Sequence, residues 1–282
     1  MASARAQAPL LPKPGTLPPQ KTALVFGQKI TYYDVGTGPV LVLVHGFQSE
    51  ALFDWGNVIL PLSKHHRVLA LDEIGWGQSD KPAFDYSVQT FVDFLGEYLR
   101  VMHVTKFDLA GESLGGWVVG AYTIQALAPE NTGKYAVPKP SRLILEDAAG
   151  HTATTSNVAP VAGTLADANG IKFILYDKSR ATPEFVREAW ALKLKANDGN
   201  TQRSFRASTK NATLTIGDKL DKITIPTLVV WGGNDPVVPL ADGKDYAAKI
   251  PNAKLVIIPE CGHVGSMEKP AEFVAAAEGF LQ

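Results

Sequence analysis

Gly111-Glu112-Ser113-Leu114-Gly115 joins a strand-like run to a helix-like run with no spacer between them. Phe107-Asp108-Leu109-Ala110 reads as the end of a buried strand, and Gly116-Trp117-Val118-Val119-Gly120-Ala121-Tyr122 as a helix. So abrupt a turn needs glycines, which let the backbone bend sharply and let strand and helix pack closely. A serine at its tip is open to substrate on one side and to a base on the other, the two conditions that make a weak hydroxyl nucleophile useful. G-x-S-x-G alone is a common pattern, so the weight falls on its surroundings.

Those surroundings alternate. Residues 23–26, 30–33 and 40–44 read as strands, with turns at Gly27-Gln28 and Gly36-Thr37-Gly38. The third is a continuous apolar run, as a strand buried on both faces should be. A helix near 55–62, a strand at 67–71 and a helix N-capped by Ser87 follow, the last carrying Phe91, Phe94, Leu95 and Leu99 at helical spacing. After the serine turn come strands at 143–145, 227–230 and 255–258 and a closing helix over 271–280. The pattern predicts an α/β fold: a mostly parallel sheet with helices on both faces. Residues 150–215 break it and predict a helical cap, with short helices near 171–176 and 183–195, between core segments 21–149 and 216–282. The stretch 131–140 reads as a surface excursion.

Composition narrows the function. With 27 basic against 28 acidic residues and 45% hydrophobic content in 282 residues, the chain can bury a large core and carries no basic stripe for nucleic acid. The apolar runs are strand-sized, so no membrane-spanning helix is expected. Cys261 is the single cysteine, which removes an internal disulfide and a cysteine-rich metal site, and it reads as a small loop-filling residue. Residues 1–20, with prolines at 12, 14, 18 and 19, read as an extended or disordered arm. Ala4-Arg5-Ala6 looks like the end of a trimmed export signal, so the compartment stays open between cytoplasm and export. Oligomeric state is not legible.

In parallel sheets ligands bind at the carboxyl ends of strands. His45, Asp72, Ser113, Asp147, Asp235 and His263 all fall at or just after predicted strand ends. His263 lies in a small-residue loop that gives it reach toward Ser113. Asp235, in Trp231-Gly232-Gly233-Asn234-Asp235-Pro236, is the favoured acid, with Asp147 its rival. Asp72 reads as a turn-former. Glu112 reads as a support for the turn or a modulator of the base. His65-His66 and His151 lack metal-ligand spacing, so no metal is implied.

Taken together, His45-Gly46-Phe47, Asp72-Glu73-Ile74-Gly75-Trp76-Gly77-Gln78-Ser79, the Ser113 turn, the Asp235 and His263 loops and Glu268-Lys269-Pro270 resemble the α/β-hydrolase fold over essentially everything after Thr22. The resemblance implies Ser113 as nucleophile, His263 as base and acid, Asp235 as orienting acid, and an oxyanion hole from the N–H groups of Phe47 and Leu114. It implies a structural role for His45, and no cofactor. Ser113 argues against haloalkane dehalogenases and most epoxide hydrolases, which carry Asp at that place. The cap sequence also resembles carbon–carbon bond hydrolases of aromatic degradation. Those typically have Asn before the serine, Arg before the cap tryptophan and Trp after the histidine, where this chain has Glu112, Ala189 and Val264. The expectation is therefore a carboxylesterase-like serine hydrolase acting on a small or medium ester through an acyl-enzyme. Phe47, Trp76, Trp190, Val264 and Met267 would form its apolar pocket. Cleavage of a meta-cleavage product is the alternative, and a slow-turnover ligand-binding receptor is a third reading. Ser113→Ala is expected to abolish turnover of p-nitrophenyl esters, and wild-type rates should fall on the acid side, where His263 becomes protonated. Steady-state rates against pH check both.

Overall fold

The computed structural model describes residues 8–133, 136–152, 163–209 and 214–282. The segment Ala4-Arg5-Ala6, residues 134–135 of the excursion, and residues 153–162 and 210–213 of the expected cap lie outside the described residues.

The sheet has eight strands: β1 (Lys21–Val25), β2 (Gln28–Val35), β3 (Val40–Val44), β4 (Arg67–Leu71), β5 (Phe107–Glu112), β6 (Leu143–Glu146), β7 (Thr227–Gly232) and β8 (Ala253–Ile258). Their spatial order is β1-β2-β4-β3-β5-β6-β7-β8. The β1–β2 and β2–β4 pairs are antiparallel and all others are parallel. From β3 the chain steps to β4 on one side and later to β5 on the other. The carboxyl ends of β3 and β5 therefore open a crevice at the topological switch point, where the His45 loop and the Ser113 turn lie.

Strand alternation sorts the core into two layers. On β3, Val42 and Val44 face one layer and Leu41 and Leu43 the other. On β7, Val229 and Trp231 oppose Leu228 and Val230 in the same way. The first layer is covered by α2 (Val88–Val101), α3 (Leu114–Leu127) and α7 (Leu240–Lys249), and the second by α1 (Ala51–Leu62) and α9 (Pro270–Leu281). Ser87 caps α2 as expected, in a capping box with Thr90.

Between β6 and β7 the chain forms a helical insertion: α4 (Leu165–Ala168), a 3₁₀ stretch (Asn169–Ile174), α5 (Pro183–Ala196) and α6 (Gly199–Thr209). Thr182 caps α5 and Pro183 starts it, while left-handed Asn197 ends it. The sequence did not signal α6, because Gly-Asn-Thr-Gln-Arg-Ser-Phe-Arg-Ala-Ser-Thr is a poor helix former with one large apolar residue. Phe205 is buried against Phe47 and Phe91, so tertiary packing overrides propensity there. A four-residue α8 (Gly265–Glu268) precedes α9.

The described part of the N-terminal arm is held. Leu10 and Leu11 are buried with Phe185, Val186 and Met267, and the Pro9 and Leu10 carbonyls accept from Asn57 Nδ2. Prolines remove regular structure without preventing apolar burial, so this arm packs between the insertion and α1.

A Cβ on Gly115 would run into the Val44 and His45 carbonyls, whereas one on Gly279 in α9 meets nothing within 4 Å. Gly115→Ala should cost about 1–3 kcal/mol by overpacking. Gly279→Ala should stabilise by up to about 1 kcal/mol. Thermal melts of the two variants should therefore shift in opposite directions.

Candidate active site

Ser113 has φ 49° and ψ −113°, between the end of β5 and the start of α3. A non-glycine residue in this region is strained and persists only where its surroundings over-determine it. Its N–H donates to the Glu146 carbonyl at 2.9 Å, and its carbonyl accepts from Trp117 at 3.1 Å and Ala149 at 2.9 Å. The hydroxyl is thus fixed by three backbone bonds and held clear of both elements.

His263 Nε2 accepts from Ser113 Oγ at 2.9 Å, and its Nδ1 donates to Asp235 Oδ2 at 2.8 Å. The other Asp235 oxygen accepts from the N–H groups of Val237 at 2.7 Å and Val238 at 3.0 Å. That arrangement holds a neutral imidazole with its proton on Nδ1 and its lone pair on the serine. The three residues, 150 positions apart at the extreme, meet because β5, β7 and β8 end at one edge.

Asp147, the rival acid, stands beside Asp235. One oxygen of each and a ring nitrogen of His263 lie within 4.8 Å of one another. Asp147 Oδ1 accepts from Gly232 N–H at 2.8 Å, and burial together with the Asp235 charge raises its pKa well above the usual carboxylate range. It is held neutral while Asp235 takes the histidine proton bond. These three are the described group that could geometrically hold a metal ion. However, Nδ1 and Asp235 Oδ2 already bind each other, and a neutral Asp147 is a poor cation ligand, so the donor set suits a hydrogen-bonded relay.

Three sequence readings resolve simply. His45 is buried, donates from Nδ1 to the Gly46 carbonyl and accepts at Nε2 from Glu73 N–H; burial pushes its pKa down to about 4, so it stays neutral and points away from the serine. Asp72 accepts from Ala51 and Gln78 N–H and from Gln20 Nε2, tying the turn after β4 to the start of α1. Cys261 is fully buried, and burial raises its thiol far above the thiolate range.

Two carboxylates to which the sequence analysis gave no role tie the site together. Glu268 accepts from the N–H groups of Gly262, Tyr176 and Asp177, and His263 N–H donates to the Ile174 carbonyl at 2.7 Å. The histidine loop is therefore built on the insertion as well as on the sheet. Asp54, on α1, accepts from Gly46 N–H at 2.7 Å and Ser49 Oγ at 2.5 Å. No periodicity marks either residue, because each acts by accepting from loop N–H groups and not by facing an apolar layer.

A cavity of about 340 Å³ opens over Ser113 and His263, between the strand ends and the insertion. Phe47 and Leu114 line it beside the serine. Of the five residues expected in an apolar pocket, Phe47 and Trp190 line it, joined by Trp117, Ile171, Phe173 and Leu192. Trp76, Val264 and Met267 do not. Trp76 is fully buried beneath Phe47, ring centroids 5.2 Å apart, while Val264 and Met267 pack against the N-terminal arm and α5.

The cavity also holds two cations that sequence spacing had not placed. Lys193 donates to Asp198 at 2.7 Å and to the Gln48 carbonyl at 3.1 Å. The Arg206 guanidinium sits 5.7 Å from the Phe47 ring centroid. Burial lowers both pKa values from their usual range. The absence of an arginine before Trp190 therefore does not leave the cavity without positive charge.

A family model described as alpha/beta hydrolase fold matches residues 39–270. The chain belongs to the α/β-hydrolase family. Among relatives of this hydrolase is the 2-hydroxy-6-oxo-6-(2'-aminophenyl)hexa-2,4-dienoic acid hydrolase of Metapseudomonas resinovorans, 25% identical over 90% of this chain and 88% of its own length. Another is the 2-hydroxy-6-oxononadienedioate/2-hydroxy-6-oxononatrienedioate hydrolase of Comamonas testosteroni, 28% identical over 90% of this chain and 91% of its own. The solved meta-cleavage product hydrolase of Pseudomonas fluorescens superposes with a TM-score of 0.80, 24% identity, and coverage of 93% and 97% of the two chains, a likeness of fold.

Asp235→Asn should lower kcat by about 10⁴-fold, because the amide favours the wrong imidazole tautomer. Asp147→Asn, which replaces one neutral group by another, should cost less than about tenfold. A reversed order in steady-state assays would make Asp147 the orienting acid.

Proposed function

We propose that this hydrolase cleaves a carbon–carbon bond in a 2-hydroxy-6-oxo-dienoate, a meta-cleavage product, with the helical insertion acting as the cap. Ser113 Oγ attacks the 6-oxo carbonyl while His263 Nε2 takes its proton. The substrate reacts as its 2-oxo tautomer, the 2-hydroxyl proton having been exchanged for one on C5; the C5–C6 bond then breaks, its electron pair moving into the C3=C4–C2=O system, and His263 returns the proton to the resulting dienolate. Water, deprotonated by the same histidine, releases the acid from Ser113. The N–H groups of Phe47 and Leu114 would hold the developing oxyanion.

The observation that carries this reading is the wall of the cavity over Ser113. Trp117, Phe173 and Trp190 suit an aryl or alkyl ketone, and Lys193 and Arg206 suit a carboxylate. The named activities of the two curated relatives agree with it. Ester hydrolysis is the second reading, and one contact favours it: Lys193 is already paired with buried Asp198, which leaves less charge for an acid substrate.

The decisive assay compares bleaching of 2-hydroxy-6-oxo-6-phenylhexa-2,4-dienoate with release of p-nitrophenol from the butyrate ester. The dienoate should win by at least about tenfold in kcat/KM. Arg206→Met should raise KM for the dienoate by about tenfold or more, the value of one charge-assisted contact, and leave the ester unchanged. Fast ester turnover with no bleaching would select the esterase.

A further inference from the structure

Both chain neighbours of His263 are seated on groups outside the sheet. On one side, Gly262 N–H donates to Glu268 Oε2 at 2.7 Å, while the other Glu268 oxygen accepts from Asp177 of the insertion at 3.0 Å. On the other side, Val264 is buried in a cluster with Phe185 and Val186 of α5 and with Leu10 and Leu11 of the N-terminal arm. Arg180 fastens the same two segments to each other. Its Nη1 donates to the Glu268 carbonyl at 2.5 Å, and its Nη2 donates to the Ala8 carbonyl at 2.6 Å.

The arm also has a seat on α1. Gly56 lies inside that helix, where a glycine weakens helical structure. A Cβ there would come within 2.9 Å of the Pro12 ring, so the missing side chain makes room for the arm. The next residue, Asn57, donates from Nδ2 to the Pro9 and Leu10 carbonyls at 2.8 and 3.0 Å. A helix-interior glycine beside an amide spent on two arm carbonyls is the signature of a face built to carry a segment.

We propose that residues 8–12 form a strap that positions His263. Seated on α1, the strap holds the stretch Val264–Glu268 against the insertion, and that stretch keeps the imidazole in register with Ser113 Oγ and Asp235. Leu10, Leu11 and Arg180 are the positioning residues. None of the three lines the cavity, so the strap acts on the rate of the chemical step rather than on affinity. A displacement of about 1 Å at a catalytic group is enough to cost about a hundredfold in rate. The inference rests on Ser113 and His263 being nucleophile and base, and it holds for a dienoate or an ester substrate.

The test uses the full chain and a fluorophosphonate probe, which modifies Ser113 with the help of the histidine. Labelling read by mass spectrometry over a range of probe concentrations gives a saturating rate and a half-saturating concentration, with a thermal melt of each protein alongside. Leu10→Ser combined with Leu11→Ser, and separately Arg180→Met, should lower the saturating rate by about ten- to a hundredfold, with the half-saturating concentration within about twofold of wild type. Gly56→Leu, which fills the seat and leaves every strap residue in place, should do the same. Leu10→Met combined with Leu11→Met keeps the buried volume and should label within about threefold of wild type. Val92→Ala opens a cavity in the core under α2; it should lower the melt and leave labelling unchanged well below the melting temperature. Wild-type saturating rates in the folded serine pair and Arg180→Met, or in Gly56→Leu should the serine pair not fold, would overturn the proposal. So would a Val92→Ala protein slowed as much as the strap variants, because lost stability would then explain the effect. A half-saturating concentration that rises while the saturating rate holds would overturn it as well, since the arm would then act on the cavity wall. A wild type unlabelled at Ser113 would overturn the nucleophile reading, and this proposal with it.

Discussion

Backbone packed against backbone at the Ser113 turn is the constraint on which the rest depends. Gly111 meets the Gly115 carbonyl, and Gly115 meets the carbonyls of Val44 and His45. With no side chains between them, β5, α3 and the loop after β3 close to contact distance. That closeness holds Ser113 at positive φ and sets Phe47 beside it. Ordinary residues at the glycines would separate the elements, relax the turn and lose the common edge on which the histidine and aspartate loops converge.

Around that turn the protein concentrates buried acids: Asp54, Glu112, Glu146, Asp147 and Asp235. Five carboxylates could not all ionise in so small a volume, because burial penalises each charge and each charge penalises its neighbours. Their hydrogen-bond partners decide the division. Asp235 is held by two backbone donors and the histidine. Burial and the neighbouring acids raise Asp147 and Glu112 well above the usual carboxylate range. Glu146 is pushed up to about 8 by burial, even with Ser266 N–H donating to it. Asp147 accepts from the Gly232 N–H, and Asp235 alone among these acids accepts from the imidazole.

The helical insertion does more than cover the cavity. Its backbone at Ile174, Tyr176 and Asp177 binds the histidine loop directly or through Glu268, and Lys193 binds the Gln48 carbonyl after β3. Residues 10 and 11 pack with it against α1 and the segment that follows the histidine. Movement of the insertion would therefore shift His263 and the loop after β3 together with the cavity wall.

The sequence by itself determined the fold class, the strand ends and the identity of the serine, histidine and aspartate. Period-2 and period-3.6 patterns and glycine turns are written in stretches of a few residues, and chain order carries the motifs. Ser87, the 67–71 strand and α9 were legible for that reason. What only the tertiary structure decided lies between residues far apart in the chain. It set Glu112 3.4 Å from His263, put Glu268 under the histidine loop and chose Asp235 over Asp147 for the imidazole. It also brought Lys193 and Arg206 into the cavity, while burying Trp76, Val264 and Met267 away from it. Each depends on side-chain direction and burial across contacts that no local period encodes, and burial sets the charge of every acid among them.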